Sequence, residues 1–272
     1  MHTPLCRHAT GEPEEYAEVA QQRGLAGIIV TCHNPRPDPH PDPRPITPQS
    51  PRVWQMYAHE WEEYIAMVER ARQAWKGRVD IRLGLEANYW PGLEPFLEKQ
   101  LQSAELHHVL GSVHPQNGQY REQFWAGDER EYQRTYFDHL AVAAESGLFD
   151  TISHPDLVKN YTAESWDVNA ILPDIQRALD RIAATGAAME LNTSGMEKSI
   201  AEMNPGFEIL CEMQKRDIPV VLGSDAHVPQ RVADGYEEAL STLERAGCSK
   251  ISFFLERRRR DVLISDALSS LC

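Results

Sequence analysis

Five apolar runs in this chain each end on a residue type that binds metal: GIIVTC before His33, VDIRLGL before Glu86, HVLGSV before His114, FDTIS before His154, and IPVVLGS before Asp225 and His227. Short apolar runs of this length read as buried strands. A strand repeated with one ligand-type residue at its C-terminal end is how a β/α barrel gathers side chains distant in sequence into one cluster. The pattern therefore predicts an α/β chain whose chemistry sits at the C-terminal ends of parallel strands.

The segments between these runs fit that architecture. Helices are expected over 12–23, 53–75, 94–104, 129–146, 168–185, 204–216 and 229–246, each followed by a strand, at 25–30, 79–85, 108–113, 149–153, 187–191, 218–222 and 251–255. The spacing of Trp54, Tyr57, Trp61, Tyr64, Ile65, Val68 and Ala71 marks a helix with one buried face. Strict alternation of strand and helix, with neither internal repeat nor linker, predicts one domain over 1–272, with parallel strands inside and helices outside. The stretch 34–51 carries prolines too densely for helix or inner strand. It is read as a long extended loop leaving directly from His33, either a lid or a surface insertion. The basic run Arg257–Arg260 is read as a solvated patch.

A formal net charge of -14 repels a nucleic-acid backbone rather than gathering it, so no nucleic-acid partner is expected. The cysteines Cys6, Cys32, Cys211, Cys248 and Cys272 are odd in number, scattered and without CxxC spacing, which argues for free thiols in a reducing compartment. No signal pattern and no membrane-length apolar run is visible, and the expectation is a soluble cytoplasmic protein with no membrane partner. The oligomeric state is left open.

A hydrolytic metal cluster needs neutral imidazoles and carboxylates, one group able to bridge two ions, and an open position for water. Any one of His33, His114 or His154 alone reads better as a hydrogen-bonded structural histidine; their shared strand-end placement reverses that reading. Glu86 ends a strand inside Gly-Leu-Glu-Ala, where a carboxylate facing an apolar interior is costly without a cation. Asp225 and His227 can point into one cavity if the backbone turns between them. His40, His59, His107, His108 and His139 lack such placement and are read as structural.

Taken together, His2-Thr-Pro-Leu-Cys-Arg-His8-Ala, Thr31-Cys-His33-Asn-Pro, Gly84-Leu-Glu86-Ala, Gly111-Ser-Val-His114, Ser153-His154-Pro-Asp-Leu, Glu190-Leu-Asn-Thr-Ser-Gly195 and Gly223-Ser-Asp225-Ala-His227 resemble the polymerase and histidinol phosphatase (PHP) superfamily, most closely its histidinol-phosphatases. The resemblance spans nearly the whole chain. It implies a distorted (β/α)7 barrel holding three divalent ions, zinc, manganese or iron. Carried over residue by residue, His2, Glu86 and Asp225 would hold one ion, Glu86 would bridge it to a second held by His114 and His154, and His8, His33 and His227 would hold the third. Asp225, His227 and Glu86 are the catalytic candidates. A water activated between the ions would attack phosphorus, with Asp225 or a nearby histidine carrying the proton and no phosphoenzyme required. Lys159 and Lys198 are the candidates for phosphate contact, with Asn192 and Ser194 as polar walls.

The chain departs from the family pattern at three places. Met1 stands at the second variable residue of the family's Asp-x-His-x-His strand, so the first strand reads as truncated and one ligand as missing. Cys32 replaces a common acid and is read as a small buried neighbour, a thiolate ligand being the alternative. Glu197 stands where a basic residue is expected, and would repel a phosphate if it faces one. The expected function is a metal-dependent phosphomonoesterase acting on a small phosphorylated metabolite, histidinol phosphate first. A PHP nuclease or phosphodiesterase and a catalytically impaired PHP module are the alternatives.

Overall fold

A computed structural model describes residues 1–36 and 55–271. Most of the proline-rich loop, with His40 and Trp54, and the terminal Cys272 lie outside the described residues. Strands β1 (Gly27–Val30), β2 (Asp80–Asn88), β3 (His108–Ser112), β4 (Thr151–Ile152), β5 (Ala188–Asn192), β6 (Val220–Gly223) and β7 (Lys250–Leu255) pair in sequence order, every neighbour parallel. Helix α1 (Pro13–Gln22) precedes β1, and α2 (Trp61–Ala74), α3 (Glu94–Leu101), α4 (Gly118–Phe124), α5 (Glu129–Glu145), α6 (Val168–Thr185), α7 (Phe207–Gln214) and α8 (Tyr236–Arg245) connect the strands, all but α4 as the alternation predicts. Residues of β1, β2, β6 and β7 line one cavity of about 580 Å³, so the sheet curls toward a barrel. Among the described residues its hydrogen bonding does not close around that cavity. Met1 accepts from Thr31 N–H and His2 donates to Ala226, each at 3.0 Å, so the segment makes backbone bonds beyond β1 and beyond β6 without forming a strand.

Helix faces are buried where the periodicity places them. In α2 the buried residues are Tyr64, Met67, Val68 and Ala71, while Trp61 and Ile65 sit at the margin. The Tyr64 hydroxyl accepts from Cys32 N–H at 3.2 Å and reaches the carbonyls of Val30 and Gly84 at 2.9 Å, fastening the helix to β1 and β2. Helix α6 buries Ile171, Ile175, Leu179 and Ile182, each contributing about 2 kcal/mol. It stops at Gly186, whose φ of 77° is open to glycine at little cost.

Four local readings differ. A helix expected from 229 starts at Tyr236, because Gly235 at φ 74° breaks it from the preceding 3-10 turn Pro229–Arg231. Helix α4 is capped by Asn117, whose side chain accepts from Gln119 and Tyr120 N–H, a signal too short to stand out in the sequence. The last strand is not the last: β7 returns through a hairpin into antiparallel β8 (Arg258–Leu263), followed by α9 (Ile264–Ser270). The turn uses Glu256 and Arg257 at φ 54° and 59°, a geometry normally announced by Asn-Gly or Asp-Gly. Arg257 is also no solvated charge: it pairs with Asp150 at 2.6 Å and donates to the Leu148 carbonyl. Among the described residues no helix is long and apolar enough to cross a membrane.

Candidate metal centre

Strand register sets the first part of the site. Beyond β1, His33 pairs with Glu86 of β2 as a parallel bridge, through Glu86 N–H to Cys32 at 3.1 Å and Asn34 N–H to Glu86 at 2.9 Å. His114 and His154 follow β3 and β4, and Asp225 and His227 follow β6, so all project from the same rim. His154 at φ 29° and Asp225 at φ 47° occupy backbone space that side chains larger than glycine enter at a cost of about 1–3 kcal/mol. In this conformation His154 reaches Glu86 and Asp225 reaches His2. Gly223 makes room for the Glu190 side chain, since a Cβ there would lie 1.8 Å from Glu190 Oε1.

Glu86 is the hub. Its Oε1 accepts from Ser112 at 2.6 Å and lies 3.2 Å from His154 Nε2 and 3.4 Å from His114 Nε2; its Oε2 lies 3.1 Å from His2 Nε2 and 3.6 Å from His33 Nδ1. Asp225 Oδ1 is 3.0 Å from His2 Nε2. The imidazoles form a continuous arc, with centroids 4.5 Å apart for His8 and His227, 4.1 Å for His227 and His2, 4.4 Å for His2 and His33, 5.3 Å for His33 and His114 and 5.0 Å for His114 and His154. His8 and His227 each turn Nδ1 to a backbone carbonyl, of Cys6 and Asp225, and bring their Nε2 atoms to 2.8 Å. The thiols of Cys6 and Cys32 lie within 4.8 Å of a His2 ring nitrogen.

Burial pushes the Glu86 carboxyl up, but His33, His114, His154 and His2 around it hold it well below the usual carboxylate range. Asp225 is likewise held well below its range, His227, His2 and Lys198 outweighing burial. Burial keeps His33, His114 and His8 below the ordinary histidine value and takes His227 down to about 3. Burial opposes protonation of His2 and His154 as well, yet Asp225 and the thiols beside His2, and Glu86 beside His154, raise both. The Nδ1 atoms of His2, His33, His114 and His154 are buried with no hydrogen-bond partner among the described residues. Ionised carboxylates beside four buried imidazoles whose Nδ1 atoms lack partners would be an expensive arrangement on its own, and the donor set fits divalent cations.

The centre opens into a cavity of about 530 Å³ that Ser194, Lys198, Glu197, Arg231 and Tyr161 also line. Ser194 donates to Asp225 Oδ2 at 3.2 Å and accepts from Lys198 Nζ. Lys159, the other phosphate candidate, is not brought there. Its ammonium is fully buried, donating to Asp156 and Glu202 at 3.0 Å and to the Met203 carbonyl at 2.8 Å, so all three N–H bonds have protein acceptors. Asn192 is buried as a scaffold, donating to Glu190 Oε2 and accepting from Ser194 N–H. Glu197 lies on the cavity wall, not as a lone negative charge but ion-paired with Arg231. His108 and His139 are buried against Thr151 and Tyr120, away from the centre.

Three functional neighbours escape sequence reasoning. Glu190 accepts from Ser153 Oγ at 2.5 Å, His154 N–H at 2.9 Å and Asn192 at 3.0 Å, and so fixes the turn that presents His154. A carboxylate inside the apolar run of β5 was a signal of the same kind as Glu86. Ser112 and Arg231 carry no such mark.

The PHP domain family model matches residues 1–194. The chain is 37% identical over 259 residues to a Deinococcus radiodurans protein named "Probable histidinol-phosphatase", covering 93% of this chain and 94% of that one. It is 26% identical to the histidinol-phosphatase of Bacillus subtilis, covering 88% and 96%. Among solved structures, the histidinol phosphate phosphatase of Lactococcus lactis, complexed with zinc, L-histidinol and phosphate, superposes with a TM-score of 0.77 at 19% identity, covering 96% of this chain and 97% of that one, and shares the fold.

Proposed function

This chain belongs to the PHP domain family, and on that footing we propose that it is a metal-dependent phosphomonoesterase hydrolysing L-histidinol phosphate to L-histidinol and phosphate. The observation that carries the reading is the meeting of His8, His33, His114, His154 and His227 with Glu86 and Asp225 in a cavity of about 530 Å³ that also holds Lys198, with buried His2 against both carboxylates. That volume suits a small ester.

His2, Glu86 and Asp225 would hold one ion, Glu86 with His114 and His154 a second, and His8, His33 and His227 a third; zinc, manganese and iron all suit these donors. Bound there, divalent ions supply charge to polarise phosphoryl oxygens and acidify a water. The remaining work falls to the chain. Lys198, held beside Asp225 through Ser194, receives the phosphoryl group and offsets its charge. The Asp225 carboxylate reaches the cavity beside Lys198 and Ser194, placed to take the proton of the attacking water and return it to the departing alkoxide. Glu190 and Ser112 keep His154 and Glu86 in place. The free thiols of Cys6, Cys32, Cys211 and Cys248 support a reducing, cytoplasmic setting.

The test is phosphate release from L-histidinol phosphate by chelated protein reloaded separately with zinc, manganese or iron, beside an oligonucleotide and a phosphodiester. Metal-dependent monoester hydrolysis is expected. Cleavage of the oligonucleotide without release from the monoester would overturn the assignment in favour of a nuclease.

A further inference from the structure

Glu197 and Arg231 form the charged pair on the cavity wall that the ligand cluster does not use. Glu197 ends the 3-10 turn Thr193–Glu197 after β5, and Arg231 ends the turn that follows the Asp225–His227 corner. The guanidinium is the enclosed partner: its side chain is 19% exposed, that of Glu197 68%, and it also holds Asp234 at 3.2 Å. Arg231 engages Oε1 of Glu197, whose side chain stays exposed. One residue on, half-buried Lys198 reaches Ser194 and through it Asp225. Consecutive residues thus offer opposite charges to one cavity at two depths, a cation beside the metal centre and a braced carboxylate at the solvent-facing wall.

A phosphomonoester is anionic at its phosphoryl end, which Lys198 and the metal centre match. Only an ester whose alcohol carries a cationic amine matches the outer carboxylate as well. We propose that Glu197, braced by Arg231, determines specificity by binding the cationic amine of the leaving alcohol, so that the site selects phosphate esters of amino alcohols over those of neutral polyols. This rests on the phosphomonoesterase reading above and adds the group that reads the alcohol.

The test uses Glu197→Gln, nearly isosteric and at an exposed position. Rates for L-histidinol phosphate and ethanolamine phosphate are compared with those for glycerol 3-phosphate, all with metal-loaded protein. The preference for amine-bearing esters, as a ratio of kcat/KM, should fall by about tenfold, carried by KM, which is the scale of one partly exposed charge-assisted contact. In parallel, calorimetry follows L-histidinol alone and inorganic phosphate alone. The variant should bind L-histidinol about tenfold more weakly and phosphate no more weakly than the wild type. Equal losses for both ester classes, or unchanged L-histidinol binding, would overturn the role of Glu197. If the wild type hydrolyses no phosphomonoester, the activity reading fails, and the L-histidinol titration still decides whether Glu197 binds the amine. A wild type that binds no L-histidinol overturns the proposal.

Discussion

Replacing Glu86 by Gln removes one charge and one acceptor from the point where two halves of the centre meet. The Oε1 side faces His114 and His154 and the Oε2 side faces His2 and His33, so the carboxylate serves two groups of ligand atoms at once. At an effective dielectric near 20, a unit charge pair at the 3.1–3.6 Å separations found here is worth roughly 5 kcal/mol, and a divalent ion in the same place about twice that. Desolvating the carboxylate offsets part of this. A net loss of about 4 kcal/mol corresponds to about a thousandfold in rate. The amide keeps the volume and can still accept from Ser112, so the fold should persist by circular dichroism. Elemental analysis should show more than one ion lost per chain, and L-histidinol phosphate turnover should fall by about three orders of magnitude. Glu86→Asp, too short to reach both sides, should keep part of the metal. Unchanged metal content with near wild-type turnover in Glu86→Gln would refute the placement of the bridge.

The two lysines separate by readout. Lys198→Ala should raise KM for the ester with little change in melting temperature, whereas Lys159→Ala removes one partner of a buried pair and should cost about 3–5 kcal/mol in chemical denaturation. A stable Lys159→Ala protein with raised KM would return that lysine to the phosphate. The pH dependence follows from His2 and His154, whose values are raised. In metal-free protein their stabilisation is complete below the ordinary histidine value and is lost as pH rises through their folded values. Glu86 and Asp225, both depressed, stabilise above the ordinary carboxylate range and lose this as pH falls through their folded values. Metal must displace the histidine protons, so affinity should rise with pH and binding should release protons, more at pH 6.5 than at 8.5. Calorimetry in buffers of different ionisation heat measures this, and proton-independent binding at both pH values would refute it.

The sequence alone was enough for the alternating strands and helices, and for the residue types at the ends of β1 to β4 and β6, because both signals are local: an apolar run of strand length, then one polar residue that burial would otherwise forbid. The buried face of α2 was legible for the same reason. The β7–β8 hairpin was not, because its turn puts Glu256 and Arg257 into positive φ without glycine or asparagine, and cross-strand pairing holds it there. Nor could residue types alone distinguish Lys159 from Lys198. Both are lysines near a motif, and only the approach of Glu202 and Met203 to one and of Ser194 to the other makes the first a buried structural cation and the second a wall of the cavity. The pairing of Glu197 with Arg231, between the turns that follow β5 and β6, is likewise a tertiary decision. A side chain's type is written in the chain, but its charge environment depends on which distant residues the folded backbone brings within a few ångströms of it.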